Sequence, residues 1–339
     1  MTNSTFGLTR LGAATYVAAL HVRVGVWAPA GAGGRALLVD VGIDDDAAKK
    51  LARLLGENGL RPAALVLTHH HADHAGGAAW LKKAFQCRVF ATPIERALIE
   101  NPVLEPFYLY GAYPPPSMRN RFLQARACEV DWATPVAAEP GAPADLFKEG
   151  DEAGDKSGNE SRDEPGALFD GLRLISLPGH SPGQAGLLTP DGVLFSGDAF
   201  FGGDVMAKYA IPYHADVMRA LQTIDFLQGR AGAGESETAL SCLVPAHGEP
   251  LSPAEAVPVL EANRARLLEL EDIALRALGA GPKTREELLG ALVEVFPTEL
   301  NSSQYHLLYS GLGALLADLL EKRRVKMRFT DRALLWEEA

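Results

Sequence analysis

The segment Thr68-His69-His70-His71-Ala72-Asp73-His74 carries four potential metal ligands in an H-x-H-x-D-H run. In an extended stretch, residues two apart project to the same side, so His69 and His71 can grip one cation. A turn into a following helix swings Asp73 and His74 toward a neighbouring position, so one short run can seed two adjacent sites. Imidazole and carboxylate suit zinc, iron or manganese, and no cysteine stands in the run to favour copper(I) or an iron–sulfur cluster. Three further donors sit on short loops flanked by glycine and proline. They are His180 in Pro178-Gly179-His180-Ser181-Pro182-Gly183, Asp198 in Gly197-Asp198, and His247 in Pro245-Ala246-His247-Gly248. A structural zinc site closes with four ligands and keeps no open position, so a larger set points to catalysis.

Each of these donors follows a β-like run. Residues 64–67 form a short apolar strand entering the histidine loop, and residues 78–85 read as a helix after it. Residues 172–177, 192–196 and 239–244 form three more strands, and each delivers one donor at or just past its end. Ligands gathered at strand ends are the usual layout of a site built on a sheet. Nearer the start, the runs 16–27 and 36–41, separated by Gly31-Ala32-Gly33-Gly34, read as a hairpin. Residues 44–57 have helical spacing, with Asp44, Asp45 and Asp46 placing negative charge at the helix start.

From residue 253 the pattern becomes helical. Residues 257–278, 284–295 and 302–322 carry apolar stripes, and residues 324–336 read as strand, turn and strand. Three helices with a terminal hairpin suggest a winged-helix-like domain over residues 251–339, after a catalytic domain over residues 1–250.

The chain is 47% hydrophobic and 22% charged, which suits a soluble globular protein with a sizeable core. No run approaches the ~18 apolar residues of a spanning helix, and residues 1–5 lack a basic region leading into an apolar one. Membrane insertion and ordinary secretion are therefore not expected. Cys87, Cys128 and Cys242 are odd in number and without a CxxC, which fits buried thiols and a cytoplasmic address. The net charge of −11 disfavours a whole-protein nucleic-acid footprint. Residues 139–170 hold ten acidic and three basic residues, a low-complexity insert expected to be mobile, and account for a net seven of those charges.

The ordered set of motifs, Thr68 to His74, Pro178 to Gly183, Gly197-Asp198 and His247-Gly248, resembles the metallo-β-lactamase-fold hydrolases over roughly residues 10–250. The resemblance implies an α/β fold, a four-layer αββα sandwich. It also implies two divalent metal ions, zinc by default with iron or manganese as alternatives. His69, His71 and His180 would hold the first, Asp73, His74 and His247 the second, and Asp198 would bridge them. The pair would share a hydroxide of lowered pKa, and Asp73 would serve as the catalytic carboxylate that orients it or relays a proton.

Asp198 points away from antibiotic hydrolysis, since true β-lactamases of this fold generally carry cysteine or serine there. Gln184 stands where glyoxalase-II-like thioesterases and lactonases often have another histidine. The expected reaction is hydrolysis of an ester-like bond in a small molecule, a thioester or lactone first. The alternative is a single-stranded RNA phosphodiesterase using the same metals, and an iron-dependent oxidoreductase ranks third.

Other residues carry weaker signals. His70 is expected to point away from the metals and to pack or hydrogen-bond, and His21, in a strand, and His306 read as ordinary structural histidines. Residues 101–118, dense in Pro, Tyr and Phe, form either a surface loop or an aromatic wall of the pocket. Lys208, Tyr209 or His214 can reach the substrate. Residues 322–328 place five positive charges on a helix end and wing, where an RNA could meet them. The apolar third helix makes a homodimer plausible.

Overall fold

The computed structural model describes residues 7–146, 166–233 and 240–339. Seven strands follow one another in chain order across the first sheet: β1 (Leu8–Arg10), β2 (Thr15–Ala19), β3 (Arg23–Trp27), β4 (Arg35–Val39), β5 (Arg61–Val66), β6 (Arg88–Ala91) and β7 (Trp132–Ala133). Pairing is antiparallel from β1 to β4 and parallel from β4 to β7. The parallel part needs crossovers, and the helices α1 (Asp45–Glu57), α2 (Ala72–Ala75) and α3 (Ala78–Phe85) supply them, with α4 (Pro93–Glu100) and α5 (Leu104–Tyr110) between β6 and β7. The α1 start behaves as its charge predicts: the Asp44 carboxylate caps it by accepting from the Asp46 and Ala47 amides.

The second sheet has five strands, β8 (Pro143–Asp145), β9 (Arg173–Ser176), β10 (Ala185–Leu188), β11 (Val193–Gly197) and β12 (Cys242–Pro245), in the order β12-β11-β10-β9-β8. Helices α6 (Gly166–Phe169), α7 (Gly203–Lys208) and α8 (Val217–Ala231) join them, followed by α9 (Pro253–Gly279), α10 (Arg285–Val295) and α11 (Ser302–Glu321). The hairpin β13 (Val325–Phe329) and β14 (Leu334–Glu338) ends the chain's described elements.

The layering follows from period-two burial. Leu37 and Val39 of β4, Ala64 and Val66 of β5, and Val193 and Phe195 of β11 meet in the interior between the sheets. Their neighbours Leu38 and Leu65 pack outward with Leu51, Leu54 and Leu55 of α1 and Leu81 of α3. Leu194 faces the other way, against Leu221, Ile224 and Leu227 of α8 and Leu260 and Leu267 of α9. Strands buried on both faces read as unbroken apolar runs, which is why the sequence shows little alternation. The result is the expected four-layer αββα sandwich.

Several local expectations change. Residues 16–27 are two strands, because the chain turns at Leu20-His21-Val22. That turn lets the Arg23 amide donate to the Ala246 carbonyl at 2.8 Å and its guanidinium donate to the Gly248 carbonyl at 2.8 Å. His21 therefore lies on an exposed turn rather than in a strand, with its ring 6.1 Å from that of His247. Within residues 101–118 the chain forms α5 rather than a loop throughout. Of the acidic insert, residues 147–165 lie outside the described residues. Its edges have structure: β8 pairs with β9, and α6 brings the Leu168 carbonyl to the Trp27 indole N–H at 3.0 Å.

The three C-terminal helices and the hairpin form where the sequence places them. Ser252 and Glu255 make a reciprocal capping box at α9, and Thr284 and Glu287 make another at α10. The core beneath α8 continues through α9 into α10 and α11 without a break. Three of the five basic residues of 322–328 are paired within the chain. Lys322 meets Asp318 at 2.7 Å and Glu271 at 2.8 Å, while Lys326 and Arg328 both meet Glu337.

Phe195 fills the sandwich interior opposite Gly25, where an added methyl would come within 2.9 Å of the ring. Phe195→Ala should lower unfolding free energy by about 3–5 kcal/mol through lost transfer energy and a residual cavity, read as a reduced urea midpoint with an unchanged slope.

Candidate metal centre

The seven donors foreseen from the sequence converge at one end of the sandwich. His69 and His71 follow β5, His180 follows β9, Asp198 ends β11, and His247 follows β12. His69 Nε2 lies 3.0 Å from His71 Nδ1, which lies 2.9 Å from His180 Nε2. Ligand nitrogens around a tetrahedral zinc at ~2.0–2.1 Å stand roughly 3.3 Å apart, so these three already match such a face. Alongside, His247 Nε2 is 3.1 Å from Asp73 Oδ2, and His74 Nε2 is 3.8 Å from Asp73 Oδ1. Asp198 touches both groups: its Oδ2 is 3.5 Å from both His180 Nε2 and His247 Nε2, and its Oδ1 is 3.4 Å from His74 Nε2.

Buried polar atoms are normally satisfied. Here His74 Nε2, His71 Nε2 and Asp198 Oδ1 are buried without a hydrogen bond. Two of those three atoms, His74 Nε2 and Asp198 Oδ1, point into the shared space, so the donor set fits a cation.

The far side of each ring explains the orientation of the near side. The His180 Nδ1–H donates to the Tyr213 carbonyl at 2.9 Å, which leaves Nε2 bare. The His74 Nδ1–H donates to Asp40 Oδ2 at 2.8 Å, with the same effect. The Thr68 hydroxyl donates to Asp40 and stands 3.1 Å from His69 Nδ1, so His69 too is left with a free Nε2. Asp40 itself is almost wholly buried and adopts a left-handed φ of 58°. The only mark it leaves on the sequence is a charged residue closing the apolar run Leu37-Leu38-Val39, and it was not among the expected site residues.

Glu95 of α4 ties the two histidine loops together. It is fully buried and accepts from the His70 amide at 2.9 Å, His70 Nδ1 at 2.6 Å, the Gly183 amide at 2.9 Å and the Ser181 hydroxyl. His70 is thus turned away from the metal donors, as expected. Gln184 accepts from the Asp198 amide at 3.2 Å and donates to the Leu177 carbonyl, so it braces the Asp198 loop. Gly197 has φ 56°, and a Cβ there would sit 2.8 Å from the Thr68 hydroxyl oxygen.

Electrostatics separate the two groups. Burial, joined by the other histidines, holds His69 and His71 well below the ordinary imidazole value, and burial also lowers His180 against the pull of Asp198. His74 and His247 feel burial too, yet the carboxylates of Asp198 and Asp73 raise both, with Asp40 adding to His74. The first three are thereby biased toward the neutral form that a cation requires, and the other two toward the protonated form.

Of the substrate candidates, Lys208 and Tyr209 are exposed at the end of α7, with the ammonium 4.8 Å from the Tyr209 ring centroid. His214 is buried beside His180, ring centroids 5.8 Å apart, and burial pushes its pKa down to about 3. Its neighbour Tyr213, which the sequence analysis passed over, has its ring 5.9 Å from His71. From α5, Tyr108 brings its hydroxyl to 3.2 Å from His70 Nε2, so part of the aromatic stretch does line the centre, while Tyr113 is exposed.

The sequence model of the metallo-beta-lactamase superfamily matches residues 28–231. The chain belongs to the metallo-beta-lactamase superfamily. It is 29% identical over 161 residues to a hydroxyacylglutathione hydrolase of Alkalilimnicola ehrlichii, covering 48% of this chain and 42% of that protein. The aligned part thus spans less than half the length of that relative. Among solved structures, a metallo-beta-lactamase family protein of Thermus thermophilus superposes with a TM-score of 0.63 at 20% identity, over 94% of each chain. A beta-lactamase domain protein of Burkholderia ambifaria gives 0.66 at 16% identity, over 99% of this chain and 96% of its own. At those identities the superpositions show a shared fold and nothing more.

Asp40→Asn tests the ring-orienting role directly. An amide nitrogen facing His74 Nδ1 would favour the tautomer with a proton on Nε2, the atom aimed at the cation. Zinc titration should show binding at the Asp73, His74 and His247 donors weakened by about 10–100-fold.

Proposed function

We propose that this protein is a metal-dependent hydrolase with a dinuclear centre, acting on an ester-like bond of a small molecule, with thioesters and lactones as the leading substrates. The observation that carries this reading is the position of Asp198. Its two oxygens face donors of both groups, as a carboxylate shared between two cations must. His69, His71 and His180 would hold one ion, and Asp73, His74 and His247 the other. When bound, such a pair acidifies water and polarises a carbonyl.

The chain's own groups do the rest. The Asp73 side chain is about one quarter exposed, the most open of the donors, so it can take and pass on a proton at the mouth of the site. Phe201 and Tyr213 flank His180, with ring centroids 5.9 and 5.7 Å away, and limit water on that side. The thioester preference draws on the hydroxyacylglutathione hydrolase relative, and the presence of Asp198 keeps β-lactams low on the list.

The RNA reading has less behind it, because Lys322, Lys326 and Arg328 of the basic segment are already engaged by Glu271, Asp318 and Glu337. A small-molecule substrate, no membrane contact and a cytoplasmic setting complete the proposal; among the described residues no helix is long and apolar enough to cross a membrane.

A panel of thioesters, lactones and single-stranded RNA, run on one preparation, decides between these substrates. Thioester or lactone turnover is expected, and the double variant His69→Ala/His71→Ala should lose both bound metal and turnover. Cleavage of RNA alone would replace the small-molecule reading. Turnover surviving in the double variant would refute the metal mechanism.

A further inference from the structure

Each ring nitrogen that faces away from the centre has a partner at His69, His74 and His180, but not at His71. His71 presents Nδ1 to its two histidine neighbours, so its Nε2 points outward, where it is buried and without a hydrogen bond. A neutral imidazole carries one N–H. With Nδ1 given to a cation, that proton must sit on Nε2, and the protein has to answer a buried donor.

The nearest carboxylate is Glu105 of α5, whose Oε1 lies 3.9 Å from His71 Nε2. Glu105 is only 4% exposed. A buried ring nitrogen without a hydrogen bond and a carboxyl oxygen 3.9 Å away are complementary once the proton is on Nε2.

We propose that Glu105 is a positioning residue that orients His71 by accepting its Nε2–H, completing the set of outer partners that aim the first histidine triad. The proposal rests on the metal reading above. A separate cation held by His70, His71 and Glu105 is the competing use of this corner. It is disfavoured because His70 Nδ1 is committed to Glu95 and its Nε2 lies against the Tyr108 hydroxyl.

The surroundings of Glu105 include the C-terminal region. Leu109 on the same helix packs with Met118 and Leu123 against Tyr213 and with Leu307 of α11, and the Tyr110 ring sits 5.1 Å from that of His306. The helix that carries Glu105 thus packs on a helix remote in sequence.

The test uses the full-length protein, stripped with a chelator and titrated with zinc against a chromophoric competitor, and separately with cobalt(II). Glu105→Ala is expected to weaken zinc binding at His69, His71 and His180 by about 10–100-fold and to change the cobalt(II) visible spectrum, with the metal-free circular dichroism unchanged. Glu105→Gln, whose amide oxygen still accepts from Nε2–H, should lose less. Wild-type zinc affinity and cobalt spectrum in both variants would overturn the proposal. Should Glu105→Ala not fold, Glu105→Leu decides, because its side chain fills the space but cannot accept from Nε2–H: weaker zinc binding supports the role and unchanged binding refutes it. A wild-type protein that takes up neither metal would instead defeat the metal reading itself.

Discussion

One buried carboxylate organises the centre. Asp40 receives the His74 ring N–H, the Thr68 hydroxyl and the Thr68 amide, and through that hydroxyl it also reaches His69. A charge held in the interior must be answered by donors on every side, and Asp40 answers that demand with groups that are themselves attached to ligand-bearing rings. The left-handed backbone at this position has an energetic cost for a residue with a Cβ. It persists because the strand before it and the histidine loop beside it are locked by the apolar layers.

Those layers explain why the donors lie where they do. The central strands of both sheets are covered on both faces, so charged groups are kept to the strand ends. The donor-bearing loops cluster at one end of the sandwich, and short loops leave little freedom for the side chains they carry. Glu95 and Gln184 then stitch the loops to one another: Glu95 holds the His70 and Ser181 segments together, and Gln184 holds the Asp198 amide.

The C-terminal helices are more than an appendage. Their apolar faces continue the core beneath the second sheet, and α11 meets the region around α5 through Tyr110, Leu109 and the hydrogen bond from Asn120 to Ser303. The wall of the site opposite the strand ends is thus assembled from segments about two hundred residues apart. Aromatic residues that look like loop decoration in the sequence become wall or seam according to which side of α5 they occupy.

Much of the centre was legible in the residues alone. The spacing of His69, His71, Asp73 and His74, and the short loops bearing His180, Asp198 and His247, identify the donors because metal chemistry demands particular atoms at particular intervals. The main helices and most core strands are equally legible, since burial on one or two faces leaves a periodic or continuous apolar trace. The outer partners were not. Asp40, Glu95 and Glu105 are isolated acids in ordinary contexts, and Tyr213 acts toward His180 through its backbone carbonyl, which leaves no mark on residue type. The bend at residues 20–22 was also hidden, because the carbonyl its Arg23 amide meets, that of Ala246, lies far along the chain. Local chemistry names the atoms that bind. Which nitrogen of each ring faces the cation is decided by hydrogen bonds between distant segments, and these exist only once the two sheets have packed.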